Sequence, residues 1–211
     1  MVPETHRILA GDLSDHLKLE FGVHLNETKL LRGSIAPDIY PKYKFIPHYY
    51  EESIDYVVEN IVKLVPYVSE MIHRRPGSGL LTHAASYKIG VISHYLSDYM
   101  THPHARRIRC TSMKDMWKHM SYEHELNHYV RKHAIDRSIL SRTPQFHFAG
   151  EMDDLRSFVK DEIAGLVEDY LAKDITYEND AQSAYVLSAS IFDTICEVAY
   201  NYGLERQVQM A

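Results

Sequence analysis

His94-Tyr95-Leu96-Ser97-Asp98-Tyr99-Met100-Thr101-His102-Pro103-His104 carries two patterns at once. Val91, Ile92, Tyr95 and Leu96 place apolar side chains so as to predict a helix that is largely buried. His94 and Asp98 are four residues apart, which puts them on one helix face, one turn from each other. A carboxylate on a buried face needs a partner, and a cation gripped by both residues supplies one. Pro103 stops the helix and stiffens the backbone that presents His102 and His104.

Outward from this segment the chain reads as helices. Helices are expected over 5–21, 27–32, 51–74, 80–101, 114–139, 151–172 and 179–207, each from apolar residues at helical spacing. The stretch 33–48 holds Pro37, Pro41 and Pro47, which argue for an ordered loop. Arg74-Arg-Pro-Gly-Ser-Gly79 supplies the breakers that end the helix before it. No alternating pattern is long enough to build a sheet. The expected fold is all-α, a single-domain multi-helix bundle spanning 1–211 around a multinuclear metal site.

The composition is that of a globular protein: 45% hydrophobic and 25% charged residues. The net charge of −6 gives no support for a nucleic-acid-binding face. Fourteen histidines raise the expectation of a metal site, since imidazole is the commonest metal ligand. The two cysteines, Cys110 and Cys196, read as reduced thiols or as one long-range disulfide. The first ten residues lack the charged start and apolar run of a signal peptide, and no apolar run is long enough to span a membrane. A cytoplasmic location is expected, or a secreted one if a leader was removed.

His119 and Glu123 repeat the spacing of His94 and Asp98. Two such pairs, with His104 fixed by a proline between them, suit a metal centre projected inward from several helices. A single pair of this kind is most often a surface contact; the combination on apolar faces is what favours a site. His124 and His128 are weaker candidates, while His16, His24, His73, His83, His133 and His147 read as ordinary surface or core histidines.

The order His6, Asp38, His48, His94-x3-Asp98-x5-His104, His119-x3-Glu123 resembles the zinc-dependent phospholipase C family, which shares its helical fold with P1-type nucleases. Gly33-Ser-Ile-Ala-Pro-Asp38 looks like that family's Asp-bearing loop, and Phe45-Ile-Pro-His48 like the His that follows it. The resemblance covers about residues 1–130. It implies that Asp38, His48, His94 and Asp98 hold one Zn2+ and that His104, His119 and Glu123 hold a second. Asp98 would bridge to a third, shared with His6 and the amino terminus. It also implies hydrolysis of a phosphate ester, with Asp38 orienting or deprotonating the attacking water and Phe45 holding the head group.

Three features depart from the family pattern. The chain starts Met1-Val2 where family members expose a Trp that binds the third metal, and its only Trp is Trp117. Two zinc ions are therefore the expectation, and a third an addition to them. Ile39 stands where an aromatic might follow Asp38, and His102 has no implied role. The expected substrate is a phospholipid or other small phosphodiester. A P1-type nuclease ranks lower, because Lys and Arg cluster only at Arg74-Arg75 and Arg106-Arg107. The reading from a different class is a non-catalytic helical protein that keeps its metals for stability or ligand binding.

Overall fold

The computed structural model describes residues 1–73, 79–143 and 146–209. Among them are ten α-helices and no strand. The helices are α1 (Pro3–Phe21), α2 (Glu27–Gly33), α3 (Ala36–Ile39), α4 (Tyr50–Val62), α5 (Val65–Ile72), α6 (Gly79–Tyr99), α7 (His102–Ala105), α8 (Met113–Lys132), α9 (Leu155–Leu171) and α10 (Tyr177–Gln209). Short 3-10 turns cover Pro41–Tyr43 and Arg137–Arg142.

Local chemistry sets the ends. Gly22, at φ 63°, takes the left-handed conformation that closes α1, its N–H donating to the Lys18 carbonyl at 3.2 Å. Asn26 caps α2 by accepting from the Lys29 N–H. A reciprocal capping box of Ser112 and Asp115 starts α8.

The core forms around α6 and α10. From Ile89 to Thr101 every residue is buried, as expected for a helix apolar on most of its circumference. Tyr95, Tyr99, Tyr185 and Phe192 are among the largest fully buried side chains. Helices α1, α2, α4 and α5 pack on α6, and α1, α5, α8 and α9 pack on α10. The end of α6 that carries His94 and Asp98 therefore opens between the start of α1, the loop before α4, α7 and α8.

Four expectations need correction. The helix expected over 51–74 is two helices, α4 and α5, because Pro66 sits in the first turn of α5, where its missing N–H costs nothing. The loop expected over 33–48 contains α3 and a 3-10 turn, each with proline in its first two positions. The helix expected over 114–139 stops at Lys132, with a separate 3-10 turn capped by Asp136 after it. The helix expected from 151 begins at Leu155. The breaker segment 74–79 lies outside the described residues except for Gly79, which opens α6. Both cysteines are free, Cys110 exposed and Cys196 buried. No helix among the described residues is long and apolar enough to cross a membrane.

Candidate metal centre

All eight residues expected as metal ligands converge at the end of α6. His94 and Asp98 project from α6 itself and are fully buried. His94 Nδ1 donates to the Ser34 carbonyl at 2.8 Å, which leaves Nε2 as the free lone pair facing the cluster. Nε2 lies 3.6 Å from Asp38 Oδ1, 3.2 Å from His48 Nδ1 and 3.3 Å from Asp98 Oδ2. The Asp98 carboxylate reaches both ways: Oδ2 meets His48 Nδ1 at 2.7 Å, and Oδ1 lies 3.5 Å from His6 Nε2.

On the other side, α7 and α8 bring His104, His119 and Glu123 together. Glu123 Oε1 is 2.9 Å from His119 Nε2 and 3.4 Å from His104 Nε2. His104 Nδ1 lies 3.4 Å from the His48 carbonyl, joining the two halves. Helix α1 supplies His6, stacked on His94 with ring centroids 3.8 Å apart. The start of α1 is tied to α8, since the Thr5 hydroxyl donates to Asn127 and Asn127 donates to Glu4. The Met1 amino group sits 2.9 Å from Asp98 Oδ1 and 3.1 Å from Glu123 Oε1. Burial works to lower its pKa, but Asp98 and Glu123 prevail and raise it to about 10.

The electrostatics follow from packing acids among imidazoles. Burial opposes the charge on Asp98, yet the amino group, His104, His6 and His94 hold its carboxyl well below the usual range. Burial lowers His6 far below the ordinary imidazole value, with His94 adding to the effect, so its ring is neutral and able to act as a ligand. Burial also raises the pKa of Asp38.

The donor set fits zinc. Zn–N and Zn–O bonds of about 2.0–2.1 Å in a tetrahedron put ligand atoms about 3.3–3.4 Å apart. The Asp38–His48–His94 group has spacings of 3.8, 3.6 and 3.2 Å. Both ring nitrogens of His6 and Nδ1 of His119 are buried without a hydrogen-bond partner, which is costly for a side chain that binds nothing. Four groups of donor atoms can each hold an ion: His6–His94–Asp98, Asp38–His48–His94, His48–Asp98–His104 and His104–His119–Glu123. Burial is graded across them. His6, His94 and Asp98 form a floor closed to solvent, whereas Asp38 (29% exposed) and His48 (23%) stand on the rim.

Phe45 is 90% exposed, three residues before His48, and Ile39 beside Asp38 is also exposed. His124 and His128 face solvent and join no donor group. His16 pairs with Asp193 at 2.6 Å, His73 stacks on Tyr200 and His133 on Tyr129, as suits histidines outside a metal site.

Sequence reasoning missed Asp180. This buried carboxylate at the start of α10 accepts from Tyr170 Oη at 2.6 Å, Tyr122 Oη at 2.8 Å and the His102 backbone N–H at 3.1 Å. It thereby fixes the first residue of α7, two before His104, and the residue before Glu123. The His102 ring packs at a tilt on Tyr122. Its three partners are distant in sequence or carry no motif, so no spacing signals the network.

The family model described as zinc dependent phospholipase C matches residues 5–176. No curated protein and no solved structure matches the chain.

Proposed function

The chain belongs to the zinc-dependent phospholipase C family, and from that premise we propose that it hydrolyses a phospholipid or related small phosphodiester at the α6 cluster. The observation that carries the reading is the grading of the eight donors from a closed floor to an open rim. A purely structural zinc site closes its ligand shell, whereas a catalytic one keeps a side open to substrate. When bound, zinc supplies Lewis acidity to the phosphoryl oxygens and makes water a stronger acid.

The residues divide the work by position. Asp38, His48, His94 and Asp98 would hold one ion and His104, His119 and Glu123 a second, while His6 with Asp98 would serve a third if one binds. The Ser34 carbonyl and Asp180 orient ligands without touching the ions. Asp38 is at the rim, where its carboxylate can bind metal and accept the proton of the attacking water. Water then adds to phosphorus, and the bond from phosphorus to the leaving oxygen breaks. Phe45, exposed three residues before His48, is the aromatic side chain this reading assigns to the head group.

Protein purified without added metal is expected to carry about two zinc ions per chain. It should cleave nitrophenyl-phosphorylcholine and bis-nitrophenyl phosphate, lose that activity to a chelator and regain it with zinc. Single-stranded DNA should be a far poorer substrate. A chain with no zinc, or one whose activity survives full metal removal, overturns the reading.

Asp180→Asn tests the support behind the ligands. It replaces an acceptor of three hydrogen bonds by a group that also donates, next to two tyrosine hydroxyls and a backbone N–H. The expected results are a lower melting temperature and zinc held about 10–100-fold more weakly in chelator competition. An unchanged zinc affinity would limit Asp180 to a structural role.

A further inference from the structure

Helix α8 has a second exposed face that its metal ligands do not use. Met113, Met116, Trp117 and Met120 recur at i, i+3, i+4 and i+7, so they form one stripe. Each is more than half exposed, Met113 at 77% and Trp117 at 67%. Single exposed apolar residues are ordinary, but four large ones on a single helix face mark an interaction surface. Lys114 and Lys118 stand beside the stripe, one turn apart, both exposed and neither in an ion pair among the described residues.

We propose that this stripe of α8 is the surface by which the protein docks on a phospholipid layer, with the methionines and Trp117 among the acyl chains and Lys114 and Lys118 at the phosphates. A Trp and apolar side chains on one helix face with lysines at its edge is the pattern of a helix lying in a membrane interface. Lysines at such an edge add attraction for anionic lipids. The position agrees, because Met116 and Met120 each stand three residues before a ligand, His119 and Glu123, so the stripe adjoins the face of α8 that carries them. Docking here sets the helix that carries His119 and Glu123 at the headgroup layer. A second copy of the chain fits less well. A two-fold contact through the stripe would gather Lys114 and Lys118 of both copies around one interface, whereas lipid phosphates neutralise them. The proposal deepens the phospholipase reading and rests on it for the choice of lipid as partner.

Trp117 is the only tryptophan, so emission excited at wavelengths that tyrosine does not absorb reports on this face alone. With vesicles of phosphatidylcholine, plain or mixed with phosphatidylserine, its emission should shift to the blue and the protein should sediment with the lipid, more strongly on the mixed vesicles. The triple variant Met113→Ser, Met116→Ser, Met120→Ser keeps the reporter, and its partition should be at least about tenfold weaker. Its hydrolysis of soluble bis-nitrophenyl phosphate should be unchanged. Unshifted emission at excess lipid, or undiminished partition of the triple variant, overturns the proposal. So does light scattering that shows a dimer for the parent and a monomer for the variant, with no vesicle binding by either. A parent that binds vesicles but cleaves no phosphodiester would instead count against the hydrolase reading and leave the surface standing.

Discussion

Asp98→Asn is expected to lose bound zinc and phosphodiester hydrolysis together while keeping the helical circular dichroism of the parent. The substitution preserves volume and removes one negative charge at the point where the donor groups meet. Asp98 belongs to two of the four groups, with Oδ2 2.7 Å from His48 and 3.3 Å from His94, and Oδ1 3.5 Å from His6. No other carboxylate is fully buried among these imidazoles. An amide there keeps one weak acceptor and turns an N–H pair toward positions that need lone pairs. Losing several kcal/mol of charge stabilisation, at about 1.4 kcal/mol per tenfold in rate, corresponds to a fall of about a thousandfold. Metal analysis and the rate on bis-nitrophenyl phosphate check both halves. His124→Ala and His128→Ala, at exposed positions on α8 outside every donor group, should change neither. If Asp98→Asn kept its zinc and its rate, the assignment of the centre would be wrong.

How far this centre could be read without coordinates depended on the range of each contact. His94 with Asp98 and His119 with Glu123 are legible because one helical turn brings i and i+4 together whatever the rest of the chain does. The burial of α6 was legible for a similar reason, from Val91, Ile92, Tyr95 and Leu96. Asp38 and His48 carried no such signal, since each follows a proline in a stretch whose sequence reads as a loop. They entered through the family resemblance, and folding then sets them 3.6 and 3.2 Å from His94 Nε2. Asp180 had neither help. It looks like any acidic residue in the first turn of a helix, and its partners lie 10, 58 and 78 residues away. The end of α8 and the start of α9 were misplaced with no breaker residue to mark them, and the other boundary errors turn on proline. Pro37 and Pro41 were read as loop residues, Pro103 as the end of a helix and Pro66 as no break at all, yet each opens a helical turn, where an N–H has no partner to lose. The exposed stripe of α8 was hidden by composition, since methionine at helical spacing reads as core until accessibility is known.

Gly90→Ala is expected to destabilise the fold by about 3 kcal/mol, against the usual preference of a helix interior for alanine. Propensity alone would favour the change by about 1 kcal/mol. Sterics oppose it, because a Cβ at Gly90 would lie 2.2 Å from the Leu30 carbonyl oxygen, 2.7 Å from the Ser34 nitrogen and 3.0 Å from the Gly33 carbonyl carbon. All three atoms are backbone, so no side chain can rotate away, and α2 would have to withdraw from α6 by roughly 1 Å to restore ordinary contact. Gly33 meets the mirror constraint, with its missing Cβ 2.1 Å from the Tyr87 carbonyl oxygen. This glycine-on-glycine crossing also sets the site. The Ser34 carbonyl that orients His94 directly follows Gly33, and Asp38 is four residues further on, so separating the helices pulls both from the α6 ligands. For a chain of this length the loss should lower the melting temperature by about 6–12 °C, and zinc should be held more weakly. Gly165→Ala in α9 is the control: nothing lies within 4 Å of its missing Cβ, so there the helical preference should prevail and the melting temperature should rise. A rise in melting temperature for Gly90→Ala as well would show that α2 can yield and that the close crossing does not hold the ligands in register.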